Sequence, residues 1–169
     1  IGFRSKNLVF WQERFREISD EVVVCTDDGS LGRAGLVTDA VAEVIAKEPK
    51  PKRVIAIGPL AMMRAVAEVT RPSGVPTIVS LNAIMVDGTG MCGSCRVTVG
   101  GDLRFACVDG PDFDAHQVDF GELAIRQRRF RGPEQRAEAD FAHVCNLDLQ
   151  LFEQGKRNSP CIIFIDEID

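Results

Sequence analysis

Asp87, Cys92, Cys95 and Cys107 are spaced D-x4-C-x2-C-x11-C in the segment VDGTGMCGSCRVTVGGDLRFAC. Thiolates are the preferred ligands of cluster iron, and four ligands close a [2Fe–2S] or [4Fe–4S] core. C-x2-C places two thiolates on one tight loop, and Gly93 and Ser94 between them let the backbone curl around inorganic sulfide. Cys107 returns across a short hairpin. Asp87, five residues before Cys92, is placed to supply the fourth ligand, and Gly88 and Gly90 allow the positive φ values that such a loop needs. Two other readings compete. Buried structural cysteines are common in cores, but a glycine-rich loop is a poor place to pack a thiol. Zinc suits C-x2-C, yet one distant third cysteine and an aspartate make an unusual structural zinc site. The cluster reading is preferred, and it makes the chain an electron carrier.

The elements that must position this group follow from hydrophobic periodicity. Leu8, Trp11, Phe15 and Ile18 predict a helix over residues 6–18 with one apolar face. Glu21–Thr26 reads as a buried strand, Asp27-Asp28-Gly29-Ser30 as a turn, and Gly35–Lys47 as a helix with Leu36, Ala40, Val41 and Val44 on one side. Arg53–Ile57 is a second buried strand. Gly58-Pro59 opens a helix from Leu60 to about Val69, with Pro59 at its first position. Pro76–Leu81 is a third strand. Strand–helix–strand–helix–strand with short loops predicts an α/β fold with a parallel sheet and right-handed crossovers. Residues 1–81 thus read as a nucleotide-binding unit without its first strand, and no G-x-G-x-x-G occurs within them. Cys95–Val99 and Leu103–Cys107 read as a hairpin turned by Gly100-Gly101-Asp102. Residues 119–143 read as helical, interrupted at Gly132-Pro133.

The 169 residues carry a net charge of −5, 45% hydrophobic and 27% charged residues. That balance is ordinary for a globular protein and disfavours nucleic-acid binding, which calls for a basic face. No apolar run approaches the roughly 20 residues of a membrane span, and no leader pattern is visible. The six cysteines cluster unevenly, which argues against a disulfide framework. The expected setting is cytoplasmic and reducing. Ile1 and the final CIIFIDEID both look like cut ends, so the chain reads as a fragment.

The stretch MVDGTGMCGSCRVTVGGDLRFACVDGPDFDAHQVDF resembles the small (alpha) subunit of NADH-dependent reduced ferredoxin:NADP oxidoreductase, also known as a sulfide dehydrogenase subunit. It is also similar to the dihydroorotate dehydrogenase electron-transfer subunit. Both belong to the ferredoxin-reductase superfamily with a C-terminal [2Fe–2S] domain. The resemblance covers about residues 1–147. The dihydroorotate branch uses four cysteines at this spacing; the alpha-subunit branch resembles this sequence in having an aspartate first.

The resemblance implies that Gly2–Ser5, Thr26–Gly29 and Gly58–Met63 line a nicotinamide nucleotide site, with Arg4, Ser5, Thr26, Asp27, Asp28, Gly29, Gly58, Pro59, Leu60 and Met62 as the contacts. All three segments end predicted parallel strands, where α/β sheets bind ligands. Gly58-Pro59 at a helix start offers free N–H groups, and Arg4 suits a phosphate or an adenine face without deciding NAD against NADP. The implied cofactors are a [2Fe–2S] cluster, NAD(P)H and FAD, the last held mostly by a flavin barrel not found in these residues. The implied partner is a larger flavin and iron–sulfur subunit, with neither nucleic acid nor membrane. No catalytic residue is implied, and His116 and His143 read as surface or packing residues.

Residues 148–169 change character. LFEQGKRNSPCIIFIDEID resembles a Walker B segment of the membrane-anchored AAA-type ATP-dependent metalloproteases, but neither G-x4-G-K-[ST] nor H-E-x-x-H is present. A junction of two unrelated segments near residue 147 is expected, with no ATPase or protease activity. The domains read as 1–81 (nucleotide binding), 82–147 (cluster domain with a helical extension) and 148–169 (the tail). The function read from this sequence is electron transfer from NAD(P)H through FAD and a [2Fe–2S] cluster to a partner subunit. The alternatives are a zinc-stabilised binding module without redox role, and a fragment of an AAA ATPase or protease.

Overall fold

The computed structural model describes residues 1–144 and the strand 162–166. In chain order the elements are β1 (Gly2–Phe3), a 3-10 turn at Lys6–Leu8, α1 (Gln12–Ile18), β2 (Cys25–Thr26), β3 (Arg33–Ala34), α2 (Val37–Ala46) and β4 (Arg53–Ile57). There follow α3 (Leu60–Thr70), a 3-10 turn at Arg71–Ser73, β5 (Thr77–Ser80), β6 (Arg96–Val99), β7 (Asp102–Phe105), β8 (Asp112–Asp114), α4 (Phe120–Gln127), α5 (Arg131–Val144) and β9 (Ile162–Asp166).

The fold is mixed α/β with parallel pieces, as expected, but the parallel strands do not form one sheet. β1, β2 and β3 make a three-stranded parallel sheet, while β4 and β5 lie parallel in a second sheet of order β8-β5-β4-β9. The Val-rich run before β2 is shorter as a strand than Glu21–Thr26 suggests, because only Val24, Cys25 and Thr26 are buried. The chain then doubles back onto it: Arg33 N–H donates to Val24 O at 2.8 Å. Gly32 (φ 66°) makes this reversal possible, since a Cβ there would lie 2.2 Å from Val24 O. An apolar run announces burial and not the identity of its neighbour, so the division into two sheets was not legible.

β4 is buried on one face only. Val54 and Ala56 have no exposure, while Ile57 is 39% exposed. β8, from the cysteine-bearing segment, pairs antiparallel with β5 (Val79 opposite Phe113). β9 pairs antiparallel with β4 (Val54 opposite Ile165); the rest of the tail, with its Walker B-like acidic end beyond Asp166, lies outside the described residues. β6 and β7 form the expected hairpin (Arg96 opposite Phe105). Its turn is the pair Gly100 (φ 62°) and Gly101 (φ 88°), with Asp102 already in β7. Two left-handed residues match the twist of a two-residue hairpin.

Four helix expectations shift. Trp11 adopts φ 56° and separates the Lys6–Leu8 turn from α1, none of whose residues is buried. Instead of facing a core, Trp11 packs edge-on against Phe10, which packs on Phe3, and the Arg14 guanidinium lies 5.6 Å from the indole centre. α2 buries Val37, Val41 and Ile45; of the expected Leu36, Ala40, Val41 and Val44 only Val41 is among them, and the stripe lies one residue on from the other three, which a 3.6-residue period also satisfies. Pro59 is the N-cap of α3, not its first residue. The C-terminal helices break at residues 128–130, and Gly132-Pro133 fall in the first turn of α5, where proline loses no intrahelical bond.

One core runs across residue 81. It includes Val54, Met63, Val66 and Val79 from the α3–β4–β5 layer, and Cys95, Val97, Ala106, Phe113 and Leu123 from the cysteine-bearing segment and α4.

Candidate iron–sulfur centre and nucleotide loops

The hairpin brings two of the cysteines together. Cys95 precedes β6 and Cys107 follows β7, and Ala106 N–H donates to Cys95 O at 3.1 Å, which extends the ladder by one step. Their Sγ atoms are 3.1 Å apart, with Cys95 buried and Cys107 half-buried. Two thiolates on one metal with 2.3 Å bonds in a tetrahedron stand about 3.8 Å apart. The pair is therefore a two-sulfur bite that needs less than ~1 Å of opening. The neighbouring sulfur, first, and burial, second, raise the Cys107 thiol above its ordinary value.

Asp87 and Cys92 meet in the exposed loop before the hairpin. The Asp87 carboxylate accepts Thr89 N–H on Oδ1 and Cys92 N–H on Oδ2, both at 2.9 Å. These bonds, led by the one from Thr89, hold its carboxyl below the usual range. Cys92 Sγ donates to Ser94 Oγ at 3.4 Å and accepts Ser94 N–H at 3.5 Å. The Ser94 hydroxyl is the main cause of a lowered Cys92 thiol. Gly88, Gly90 and Gly93 all have φ between 66° and 82°. At Gly90 a Cβ would approach Val108 Cγ2 to 2.9 Å, so the loop and the Cys107 side of the hairpin fit closely there.

The four ligands expected from sequence thus form two pairs. No three His, Cys, Asp or Glu side chains among the described residues are grouped closely enough to enclose a metal ion. The donor set still fits an iron–sulfur group. It offers a ready two-sulfur bite, a solvent-facing thiol of lowered pKa, and a carboxylate whose oxygens each keep a lone pair free after accepting one N–H.

The residues that hold this arrangement lie mostly on α4, whose role sequence reasoning missed. Asp119 caps the helix by accepting Glu122 N–H at 2.9 Å. Phe120 and Leu123 anchor it in the core. Glu122 Oε2 accepts from Thr98 Oγ1 on β6 at 2.5 Å. Gln127 Nε2 donates to Asn82 O at 3.1 Å and Asn82 Oδ1 at 3.0 Å, at the entrance of the segment. Arg126 NH2 donates to Gly93 O at 3.1 Å and Ser94 O at 3.3 Å, inside the C-x2-C loop. In sequence these are charged and polar residues on a short helix, a pattern indistinguishable from a solvated face.

Of the predicted nucleotide-site residues, the structure joins two segments. Asp27 N–H donates to Phe3 O at 3.1 Å and Asp28 N–H to Arg4 O at 3.2 Å. Ser30 Oγ accepts Lys6 N–H at 2.8 Å and donates to Asp28 Oδ1 at 2.6 Å. Thr26 is fully buried, its Oγ1 bonded to Leu31 O at 2.8 Å, so it shapes the loop from within. Arg4, Asp27, Asp28 and Gly29 are exposed, and Ser5 is half-buried. Gly58, Pro59, Leu60 and Met62 stand at the carboxyl end of β4, in the other sheet, at the start of α3, where no side chain caps the helix. His116 is a packing residue: its Nε2 lies 2.9 Å from Thr70 Oγ1, which also bonds Thr77 Oγ1. The His143 side chain lies outside the described residues.

The geometry is that of an α/β protein with a cysteine-bearing loop and hairpin, and comparison with known proteins shows what it is similar to. Residues 82–119 match the iron–sulfur cluster binding domain of dihydroorotate dehydrogenase B. The chain is 49% identical over 134 residues to a dihydroorotate dehydrogenase B (NAD(+)) electron transfer subunit homolog of Thermotoga maritima, covering 79% of this chain and 47% of that protein. It is 44% identical over 141 residues to an uncharacterized protein encoded in the adh 3′ region of Clostridium beijerinckii, covering 83% and 48%. Among solved structures it matches a chain of the NADH-dependent reduced ferredoxin-NADP oxidoreductase, described in connection with flavin-based electron bifurcation, at TM-score 0.73 and 46% identity, covering 83% of this chain and 50% of that one. The chain is therefore similar to dihydroorotate dehydrogenase B electron-transfer subunits over its matched part, and residues 82–119 match the iron–sulfur binding domain of that enzyme. It spans about half the length of the curated relatives it matches. No helix among the described residues is long and apolar enough to cross a membrane.

Proposed function

We propose that this chain is the nucleotide-binding and iron–sulfur portion of an electron-transfer subunit of an iron–sulfur flavoprotein oxidoreductase. The observation that carries the reading is the Cys95–Cys107 sulfur pair at 3.1 Å, beside Cys92 and Asp87, inside the segment that matches a cluster-binding family. Cys92, Cys95, Cys107 and Asp87 hold a [2Fe–2S] group, which when bound supplies one-electron transfer. The chain's own residues shape and orient. The hairpin sets the two-sulfur bite, the bonds from Thr89 and Cys92 N–H hold Asp87 at the loop entrance, and Ser94 steadies the Cys92 thiolate. An oxygen ligand among three sulfurs alters the potential relative to four thiolates.

NAD(P)H binds at the carboxyl ends of β1, β2 and β4. There Arg4 and Ser5, the Thr26–Gly29 loop, and the α3 start at Gly58, Pro59, Leu60 and Met62 contact it. The free N–H groups at the start of α3 suit its pyrophosphate. No acid or base of the protein is needed for the redox step, since that chemistry belongs to the cofactors. FAD is bound mostly outside these residues, and the electrons leave to a larger partner subunit in the cytoplasm. Residues 1–81 and 82–147 carry the two tasks. The tail contributes no ATP hydrolysis.

The test is anaerobic production of the chain followed by metal and acid-labile sulfide analysis. About two iron and two sulfide per chain are expected. One zinc without sulfide points instead to the binding-module reading and overturns this one.

A further inference from the structure

Arg126 reaches out of α4 into the C-x2-C loop. One of its terminal nitrogens donates to the carbonyls of Gly93 and Ser94, the two residues between Cys92 and Cys95. Its Nε is buried and has no hydrogen-bond partner, which is true of no other buried side-chain nitrogen or oxygen among the described residues. Such an orphan donor is costly unless something nearby satisfies it. Among the described residues Arg126 also forms no ion pair, whereas Arg16, Arg33, Arg64 and Arg104 do. A guanidinium carries its charge at every working pH. Its helix is fixed at both ends, by Asp119 and Leu123 at the start and by the Gln127–Asn82 bonds at the finish.

We propose that Arg126 is a positioning residue of the iron–sulfur centre: it clamps the C-x2-C loop through the Gly93 and Ser94 carbonyls, and its unpaired charge and spare Nε–H raise the reduction potential of the centre. The inference rests on the iron–sulfur reading above. A fixed cation close to a redox group favours the reduced form, which is more negative by one charge. Hydrogen bonds and net charge around the sulfurs are the protein's levers on such potentials. The clamp adds a second effect. It holds Cys92 and Cys95 at their relative positions, so its loss frees the loop to release a ligand.

The test uses the full-length subunit in complex with its partner, in wild-type form and as Arg126→Met, Arg126→Lys and Arg64→Met. The last removes a charge from the exposed Arg64–Glu68 pair on α3 and controls for net charge. The readouts are the midpoint potential from an EPR-monitored redox titration, and the rate of iron loss to a chelator. In Arg126→Met the midpoint shifts to more negative potential and iron is lost about tenfold faster, the change expected for a lost charge-assisted bond. Arg126→Lys keeps the charge but loses the Nε–H and the planar guanidinium, so its midpoint falls between those of wild type and Arg126→Met while its iron loss is accelerated. Arg64→Met changes neither. Unchanged midpoint and iron loss in Arg126→Met overturn the proposal. Where Arg126→Met does not fold, unchanged iron loss in Arg126→Lys does so. A wild-type protein that takes up no iron and sulfide defeats the parent reading instead.

Discussion

Cys25, Cys92, Cys95 and Cys107 experience different surroundings although all four are free thiols. Burial, the leading cause, raises the Cys25 thiol, and the side chain is 1% exposed. Cys92 is exposed, and Ser94 lowers its thiol. Thiolate fraction and access together set the rate of alkylation. Brief iodoacetamide treatment of the iron-stripped chain, read by peptide mass spectrometry, is therefore expected, among these four, to label Cys92 first and Cys25 last. Asp87 is best probed by replacement. Asp87→Ala removes both the candidate ligand and the acceptor for Thr89 and Cys92 N–H, so cluster content should fall well below wild type. Asp87→Cys restores a fourth ligand and should retain iron with an altered EPR signal. Equal iron content in wild type and Asp87→Ala would show that Asp87 is not a ligand. The cysteine spacing and glycine density made this loop legible in the sequence. The double acceptance of backbone N–H by Asp87 was not, because a side chain's partner depends on a loop path that spacing does not specify.

At the scale of elements, α4 carries more of the site than its eight residues suggest. Leu123 is 1% exposed and belongs to the same core as Cys95 and Val97. Leu123→Ala should cost about 2–5 kcal/mol of stability, measured by urea denaturation, and should loosen the cluster loop with it. A cost under ~0.5 kcal/mol would mean that α4 is not anchored as described. Gly32→Ala tests the tight return of β3 onto β2. It should lower the thermal midpoint and disturb the Arg4 and Thr26–Gly29 loops together. Turns and strand ends were legible because turn residues and strand ends carry local signals. The helix faces were less so. Only Val41 of the expected Leu36, Ala40, Val41 and Val44 is buried, beside Val37 and Ile45, a single-residue rotation that periodicity tolerates, and Trp11 leaves its apparent stripe because the left-handed backbone turns it toward Phe10 and Arg14.

For the whole molecule, the sequence pattern identified an α/β unit followed by a cysteine hairpin. It did not reveal that β8 would join the second sheet or that one core would run across residue 81. Strand order is a long-range property, and Asp112–Asp114 is too short and too polar to read as a strand. This continuity means that the cluster loop is braced by the same core as the α3 start, where the nucleotide is proposed to bind. The arrangement as an electron relay rests on the chain's capacity to hold a two-iron cluster. EPR spectroscopy of the anaerobically reconstituted, dithionite-reduced chain tests it most directly. The account predicts an S = 1/2 signal integrating to about one spin per two iron, the signature of a reduced [2Fe–2S] centre. An EPR-silent protein carrying zinc and no sulfide would contradict it.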